Sequence, residues 1–165
     1  MKKKPSKKAK RVAKPTWVAV SGGFDPIHVG HIEMMKRARR KGEKLVVILN
    51  NDNWLVDKKG FAFMPQRERK MLLEEFPFVD RVVLTDHRPN DPDRSVVRTL
   101  RAIRPDFFGN GGDRGTRNTP EMDACAELNI GMRFNLGKKI QSSSWMIENA
   151  VQAALRASAT KSRKR

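Results

Sequence analysis

The fold is decided by residues 16–31, Thr-Trp-Val-Ala-Val-Ser-Gly-Gly-Phe-Asp-Pro-Ile-His-Val-Gly-His. The apolar run from Thr16 to Val20 predicts a buried strand, which Ser21-Gly22-Gly23 ends. A helix is expected from about His28 to Arg40, because apolar residues recur there at helical spacing. A strand that passes through a glycine-rich turn into a helix indicates the start of an α/β fold.

The same alternation of short apolar runs and longer amphipathic runs continues along the chain. Further strands are predicted at Leu45–Leu49, Arg81–Leu84, Asp106–Phe108 and Gly131–Asn135. Helices are predicted from Pro65 to about Phe76, from Arg94 to Ile103 with Asp93 as its cap, from Thr119 or Pro120 to about Asn129, and from the Ser142–Ser144 cap to about Ala157. Residues 51–64 are predicted as a loop. This pattern predicts a single doubly wound parallel sheet of five strands, with helices on both faces.

Charge divides the chain into a body and two basic tails. The net charge is +17, and residues 1–15 contain eight Lys or Arg and no acid. We expect a disordered basic tail at 1–15, a domain at 16–158 and a second basic tail at 159–165. The tails are either solubilising or contacts for a polyanion such as nucleic acid.

Several protein classes are excluded by what the sequence lacks. No apolar segment follows the basic N-terminus, and no run approaches the length of a membrane span. Cys125 is the single cysteine, so an internal disulfide and a cysteine-based zinc cluster are excluded. A cytoplasmic location without membrane contact is therefore expected.

The first loop carries the distinctive chemistry. His28 and His31 lie three residues apart at a helix start, which places both imidazoles on one face. Gly30 between them leaves room for a ligand, and the helix start offers free N–H groups, as a phosphate site requires. The alternatives are a surface or capping role for the pair, a metal site formed with Asp25, and a histidine that acts as a general base.

The segment Gly23-Phe24-Asp25-Pro26-Ile27-His28-Val29-Gly30-His31 resembles the signature of the cytidylyltransferase-like nucleotidyltransferases. That superfamily includes glycerol-3-phosphate cytidylyltransferase and the adenylyltransferase domain of ADP-heptose synthesis. The resemblance extends over about residues 16–150. It implies a Rossmann-like sheet with strand order 3-2-1-4-5, a nucleoside triphosphate (ATP or CTP) carrying Mg²⁺, and a homodimer.

The resemblance also implies roles for individual residues. Catalytic roles fall to His28, His31 and Lys58, the last because it matches a lysine that contacts the triphosphate. Arg69 matches an arginine of the next helix, and Asn51-Asp52-Asn53 matches a polar segment after the second strand. The nucleotide-binding residues so implied are Gly23, Phe24, Asp25, Gly30, Gly111, Gly112, Asp113, Ser142, Ser143 and Ser144.

Some positions depart from the family pattern. Gly23 replaces a Thr or Ser, Asn110 replaces a lysine, Arg114 replaces an aromatic residue, and Gly137 replaces an arginine that Lys138 and Lys139 follow closely. These departures leave the reaction class intact and affect the residues that select the acceptor.

Other residues have simpler interpretations. Lys58 and Lys59 resemble an ordinary solvated pair, although Lys58 is favoured as a ligand contact. Trp54 and Trp145 are expected to pack, and His87 is expected at the surface or against an acceptor. The loop at Gly109–Gly115 is either a flexible turn or a nucleotide contact.

The sequence therefore predicts a nucleotidyltransferase that moves AMP or CMP to the phosphate of a small acceptor and releases pyrophosphate. The first alternative is a non-catalytic nucleic-acid-binding module on the same fold, which the basic tails favour. The second is a metal-dependent hydrolase that uses Asp25, His28 and His31.

Overall fold

A computed structural model describes residues 14–109, 119–137 and 140–162, with side chains described to residue 159. Strands and helices alternate as predicted. The elements are β1 Trp17–Gly22, α1 Val29–Arg39, β2 Lys44–Leu49, α2 Asp52–Lys59, α3 Gln66–Glu74, β3 Arg81–Leu84, α4 Val97–Ile103, β4 Phe107–Gly109, α5 Pro120–Glu127, β5 Gly131–Arg133 and α6 Ser143–Ser162.

The five strands form one parallel sheet in the order β3-β2-β1-β4-β5, which confirms the predicted topology. Strand β1 is central, and its Val20 pairs with Val47 of β2 on one side and with Gly109 of β4 on the other. The strand order reverses at β1, because β2 lies on one side of it and β4 on the other. The connections that follow β1 and β3 therefore run to opposite sides of the carboxyl end of β1. Ligands of open α/β sheets bind at such a reversal.

Each face of the sheet is covered by its own hydrophobic cluster. Val18 and Val20 face Met35 of α1 and Leu73 of α3, while Ala19 faces the opposite side. Leu100 of α4 and Cys125 of α5 belong to the cluster on that opposite side. The helices therefore lie on both faces, because side chains alternate along each strand.

The prediction of a loop at residues 51–64 was wrong for the first half of that segment, which forms helix α2. The Asn51 side chain accepts a hydrogen bond from the Trp54 backbone N–H at 3.0 Å and caps the helix. Gly60, at φ 84°, ends it in the left-handed conformation. Polar residues and two lysines gave this short helix the composition of a loop, and its two ends determine its length.

Smaller differences concern the ends of elements. Helix α4 begins at Val97 rather than Arg94, because the Asp93 carboxylate accepts the Ser95 N–H in a turn at 2.8 Å. Strand β5 ends at Arg133, two residues before Asn135, whose φ is 59°. Helix α6 continues to Ser162, beyond the predicted end at Ala157.

His87 was wrongly predicted at the surface, because its ring is buried in a hydrogen-bond chain. Thr85 Oγ1 lies 2.8 Å from His87 Nδ1, and the ring donates from Nε2 to the Ser95 carbonyl at 3.0 Å. The His87 carbonyl accepts the side-chain amides of Asn51 and Asn53. His87 therefore joins the ends of β2 and β3 to the turn before α4.

Among the described residues, no helix is both long enough and apolar enough to cross a lipid bilayer.

Replacing Asn51 with Ala should lower the free energy of unfolding by about 2 kcal/mol, because the cap of α2 and a buried bond to the His87 carbonyl are both lost. Urea unfolding measures the change. Asn53→Ala is the matched control, since it removes one bond to the same carbonyl and leaves the cap. Equal losses in the two variants would contradict the capping role of Asn51.

Candidate active site

A cavity of about 550 Å³ opens at the carboxyl edge of the sheet. It is bounded by the ends of β1 and β2, the first turns of α1, helix α2 and the segment that leads into α6. The lining residues are Ser21, Gly22, Gly23, Phe24, His28, Gly30, His31, Met34, Asn50, Trp54, Leu55, Lys58, Lys59, Arg94, Val96, Glu121, Leu136, Gly137, Ile140, Gln141, Ser142, Ser143 and Ser144.

The two histidines form a stacked pair in this cavity, as their spacing predicts. His28 is the N-cap of α1, and its Nδ1 accepts the His31 backbone N–H at 3.3 Å. The rings lie nearly parallel, with centroids 3.6 Å apart, and the Phe24 ring meets His31 edge-on at 4.8 Å. The cap and the Phe24 contact together fix the direction of both imidazoles.

Burial keeps both imidazoles neutral at pH 7. Burial chiefly, together with the neighbouring His28 and Lys59, lowers the pKa of His31 to about 3. The pKa of His28 is also lowered, chiefly by burial. A neutral imidazole carries one N–H, and the buried Nδ1 of His31 has no hydrogen-bond partner among the described residues. The pair therefore has hydrogen-bonding capacity to offer an anionic ligand.

Gly23 and Gly30 lie where a side chain would collide with the site. A Cβ on Gly30 would come within 3.1 Å of the His28 ring, and one on Gly23 within 2.9 Å of Leu55 Cδ2. The departure at Gly23 from the family pattern is therefore matched by Leu55, which fills the space. Gly137, another departure, has φ 128°, a conformation that disfavours an arginine.

Asp25 is buried and does not line the cavity. Its two carboxylate oxygens accept the backbone N–H groups of Phe63 and Met64 at 2.8 and 2.7 Å. Asp25 therefore holds the first loop against the segment between α2 and α3. Because both oxygens are engaged, the structure gives no support to the alternative of a metal site at Asp25, His28 and His31. The described residues contain no cluster of three metal-binding side chains.

Arg69 is fully buried beneath the same loops. Its guanidinium donates to the carbonyls of Gly23, Asn50 and Met64 at 2.6 to 2.9 Å, and pairs with the Asp52 carboxylate at 2.6 Å. These partners belong to the segments after β1, after β2 and before α3. One side chain therefore fixes the relative positions of three segments around the cavity.

Helix α2 supplies the cationic wall. Lys58 and Lys59 both line the cavity, with Lys58 Nζ 4.4 Å from the Trp54 ring centroid. Lys59 Nζ donates to the Asp25 carbonyl at 3.2 Å. Trp54 packs as expected, donating its indole N–H to the Arg94 carbonyl at 2.8 Å, whereas Trp145 is mostly exposed.

The serine segment borders the cavity at the start of α6. Ser142, Ser143 and Ser144 all line it, and the Ser143 hydroxyl donates to the Pro26 carbonyl at 2.9 Å. That bond fixes the beginning of α6 against the first loop. The start of α6 therefore borders the same cavity as the histidine pair.

Sequence reasoning missed Asn50 and Arg94. Asn50 is buried at the end of β2, and its side-chain Oδ1 has no partner among the described residues. Arg94 is exposed at the cavity mouth. Asn50 could have been identified from the sequence, because it follows a predicted strand that neighbours β1 and so lies at the carboxyl edge of the sheet. Arg94 could not, because its position at the cavity depends on the conformation of the turn before α4.

The predicted glycine-rich contact falls on a segment outside the described residues. Gly111, Gly112 and Asp113 lie outside the described residues, as do Asn110, Arg114, Lys138 and Lys139. The segment begins after Gly109, the last residue of β4, which pairs with β1.

The buried histidine makes stability depend on pH. Because the pKa of His31 is about 3 in the folded protein and 6.5 for an unperturbed histidine, the unfolded chain binds the proton first as the pH falls. Stability should therefore decrease below about pH 6.5, by up to about 2 kcal/mol from pH 7 to pH 5. Urea unfolding at each pH measures it. His31→Asn should remove this part of the pH dependence, and an unchanged slope in that variant would contradict the assignment.

A family model described as cytidylyltransferase-like matches residues 19–148. The chain is 36% identical over 98 residues to the bifunctional protein HldE of Koribacter versatilis, covering 58% of this chain and 19% of that protein. It is 32% identical over 98 residues to the FAD synthase of Pyrococcus abyssi, covering 59% and 63%. It is 38% identical over 66 residues to the glycerol-3-phosphate cytidylyltransferase of Staphylococcus aureus, covering 40% and 50%.

The matched stretch therefore spans less than two thirds of each of these relatives. A solved structure, the lipopolysaccharide core biosynthesis protein of Thermoplasma volcanium, superposes with a TM-score of 0.58 at 24% identity. That alignment covers 74% of this chain and 95% of the other, which supports the fold. With the family match over most of the described domain, the chain belongs to the cytidylyltransferase-like family.

Proposed function

We propose that the chain is a nucleotidyltransferase that transfers AMP or CMP from a nucleoside triphosphate to the phosphate of a small acceptor. The observation that carries the proposal is the stacked, neutral His28–His31 pair at the start of α1, inside a cavity whose wall carries Lys58 and Lys59. One of the relatives is named for a transfer of this kind, the glycerol-3-phosphate cytidylyltransferase.

In the proposed reaction, an acceptor phosphate oxygen attacks the α-phosphorus. The bond between that phosphorus and the oxygen bridging to the β-phosphate breaks, and pyrophosphate leaves with the electron pair. Charge grows on the α-phosphate and on the bridging oxygen as this happens. N–H groups of His28 and His31 would stabilise that charge, and such donors are worth most in a site that excludes water.

The remaining lining residues fit the binding of a triphosphate. Lys58, the hydroxyls of Ser142 and Ser144 and the first amides of α6 would hold the β- and γ-phosphates, while the Ser143 hydroxyl donates to the Pro26 carbonyl. Gly111, Gly112 and Asp113 are proposed to contact the nucleoside, and their likeness to heptose adenylyltransferases favours ATP. No covalent intermediate is required, because positioning and electrostatics supply the rate enhancement.

Magnesium is proposed to arrive with the nucleotide. The described lining is rich in N–H groups, hydroxyls and ammonium groups, and its carboxylate, Glu121, already accepts the Val96 N–H at 3.2 Å. Such a lining suits a Mg²⁺ ion coordinated mainly by phosphate oxygens and water. Its chemical contribution would be to offset the charge of the triphosphate.

The acceptor is proposed to enter on the side of the β3–α4 turn. Arg94 is exposed at the cavity mouth there, and its guanidinium suits a phosphate group. Pyrophosphate release should be measured with each of the four nucleoside triphosphates against a panel of sugar phosphates, glycerol 3-phosphate and flavin mononucleotide. An acceptor without a phosphate would contradict the acceptor class while leaving the transfer reaction intact.

His28→Ala and His31→Ala should each lower kcat by about a hundredfold to a thousandfold, since each removes a donor to the transferred group. Pyrophosphate release measures the effect. Val29→Ala, at an exposed position in the same turn, is the matched control and should keep full activity. Full turnover in the double histidine variant would overturn the proposal.

The second candidate function is a non-catalytic nucleic-acid-binding module, which the net charge of +17 favours. Abolished polyanion binding with intact turnover after deletion of residues 1–15 would make the N-terminal tail an accessory to an enzyme. The homodimer and the cytoplasmic location stay predictions, and light scattering on the full chain tests the first of these.

A further inference from the structure

The edge of the sheet opposite the cavity is formed by the turns that lead into the strands. We use the term amino edge for residues 14–16, 40–43, 75–80 and 104–106 together with Lys44 and Arg81, the first residues of β2 and β3. In a parallel sheet the amino ends of all strands meet at one edge, so these turns are neighbours. The histidine pair lies at the other edge.

Exposed cations recur at this edge. Lys14 precedes β1, Arg40 and Lys41 precede β2, Arg81 begins β3 and Arg104 precedes β4. Within the described part of the chain, none of the five side chains makes a hydrogen bond or an ion pair. Their positive charges are therefore not neutralised by a direct ion pair.

Four carboxylates lie at the amino edge, and one of them is paired with a lysine of the same edge. Glu43 accepts the Thr16 N–H at 2.9 Å, and Asp106 accepts the Trp17 N–H at 2.7 Å. Asp80 accepts from Lys44 Nζ at 2.6 Å. A backbone N–H does not neutralise a carboxylate, so Glu43, Asp106 and Glu75 keep their charges. Three carboxylates therefore oppose the five exposed cations, and the net charge of the edge is positive.

The geometry suits an extended polyanion. Neighbouring strands lie about 4.8 Å apart, so the cations from β3 to β4 extend over about 15 Å along the edge. Residues 1–13 immediately precede Lys14 and contain seven further Lys or Arg and no acid. The segment with the highest density of positive charge in the sequence is therefore joined along the chain to the amino edge, which begins at Lys14.

We propose that the amino edge binds the phosphate backbone of nucleic acid. Three of the five exposed cations are arginines, whose planar guanidinium groups match phosphate oxygens. A membrane surface is disfavoured, because none of the exposed large apolar side chains among the described residues belongs to the amino edge. Binding there would leave the cavity at the opposite edge open.

Fluorescence anisotropy with a labelled DNA duplex of about 20 base pairs and mixed sequence tests the proposal. The edge variant is Arg40→Gln/Arg81→Gln in the full chain. Its matched control is Arg67→Gln/Arg88→Gln, which removes two exposed arginines near the carboxyl edge and changes the net charge equally. Thermal unfolding verifies that both variants fold.

The edge variant should bind about tenfold more weakly at low salt, with the slope of log K against log salt reduced by about one to two. The control variant should change less than about twofold, as expected for charges outside the contact. Deleting residues 1–13 should weaken binding further and leave a residual affinity that the edge substitutions reduce.

Equal losses in the edge and control variants would overturn the proposal, as would wild-type affinity in the edge variant or complete loss on deleting residues 1–13 alone. Binding to phosphatidylserine vesicles with the same sensitivity to the edge substitutions would also overturn it in favour of a membrane. Nucleotide turnover in the edge variant should stay unchanged, so the result is independent of the proposed enzymatic function.

Discussion

The candidate site depends on a single buried guanidinium. Arg69 donates to carbonyl oxygens of the segments after β1, after β2 and before α3, and its charge is paired with Asp52. Removing it would leave buried carbonyls without donors, each at a cost of about 1–3 kcal/mol. The neighbouring Asp25 adds two further bonds between the first and third of these segments. The positions of the lysines relative to the histidines follow from this arrangement.

The pattern of apolar residues was sufficient to predict the strands of the sheet, but it did not predict the segments that line the cavity. The apolar runs of β1, β2 and β3 and the His28–His31 spacing predicted strands and a helix start that the structure contains, and the likeness to the family supplied the strand order. Helix α2 was missed because its ends are defined by one side-chain cap and one glycine. A buried arginine runs against the usual exposure of charged residues, so Arg69 gave no sequence signal of its depth.

The burial of His87 was also not predictable from the local sequence. Polar neighbours made its segment resemble a surface turn, yet a chain of hydrogen bonds from Thr85 to Ser95 buries the ring. Such a chain brings together residues from two strand ends and a turn, and no local pattern encodes it. Asn50 and Arg94 escaped notice for a related reason, since their proximity to the histidines arises only when the sheet assembles.

The two edges of the sheet carry different chemistry. The carboxyl edge holds neutral imidazoles, hydroxyls and two lysines around a cavity, and the amino edge holds exposed cations that form no ion pair among the described residues. The hydrophobic clusters on both faces separate the two edges. A polyanion and a nucleotide would therefore occupy distinct surfaces of the same small domain.

The central claim is that the stacked histidines contact the nucleotide phosphates. Nitrogen NMR of the three imidazole rings, recorded at pH 7 with and without a non-hydrolysable triphosphate analogue and Mg²⁺, measures this contact directly. The ring nitrogens of His28 and His31 should shift when the analogue binds, and those of the buried His87 should not. A bound analogue that leaves His28 and His31 unshifted would contradict the claim.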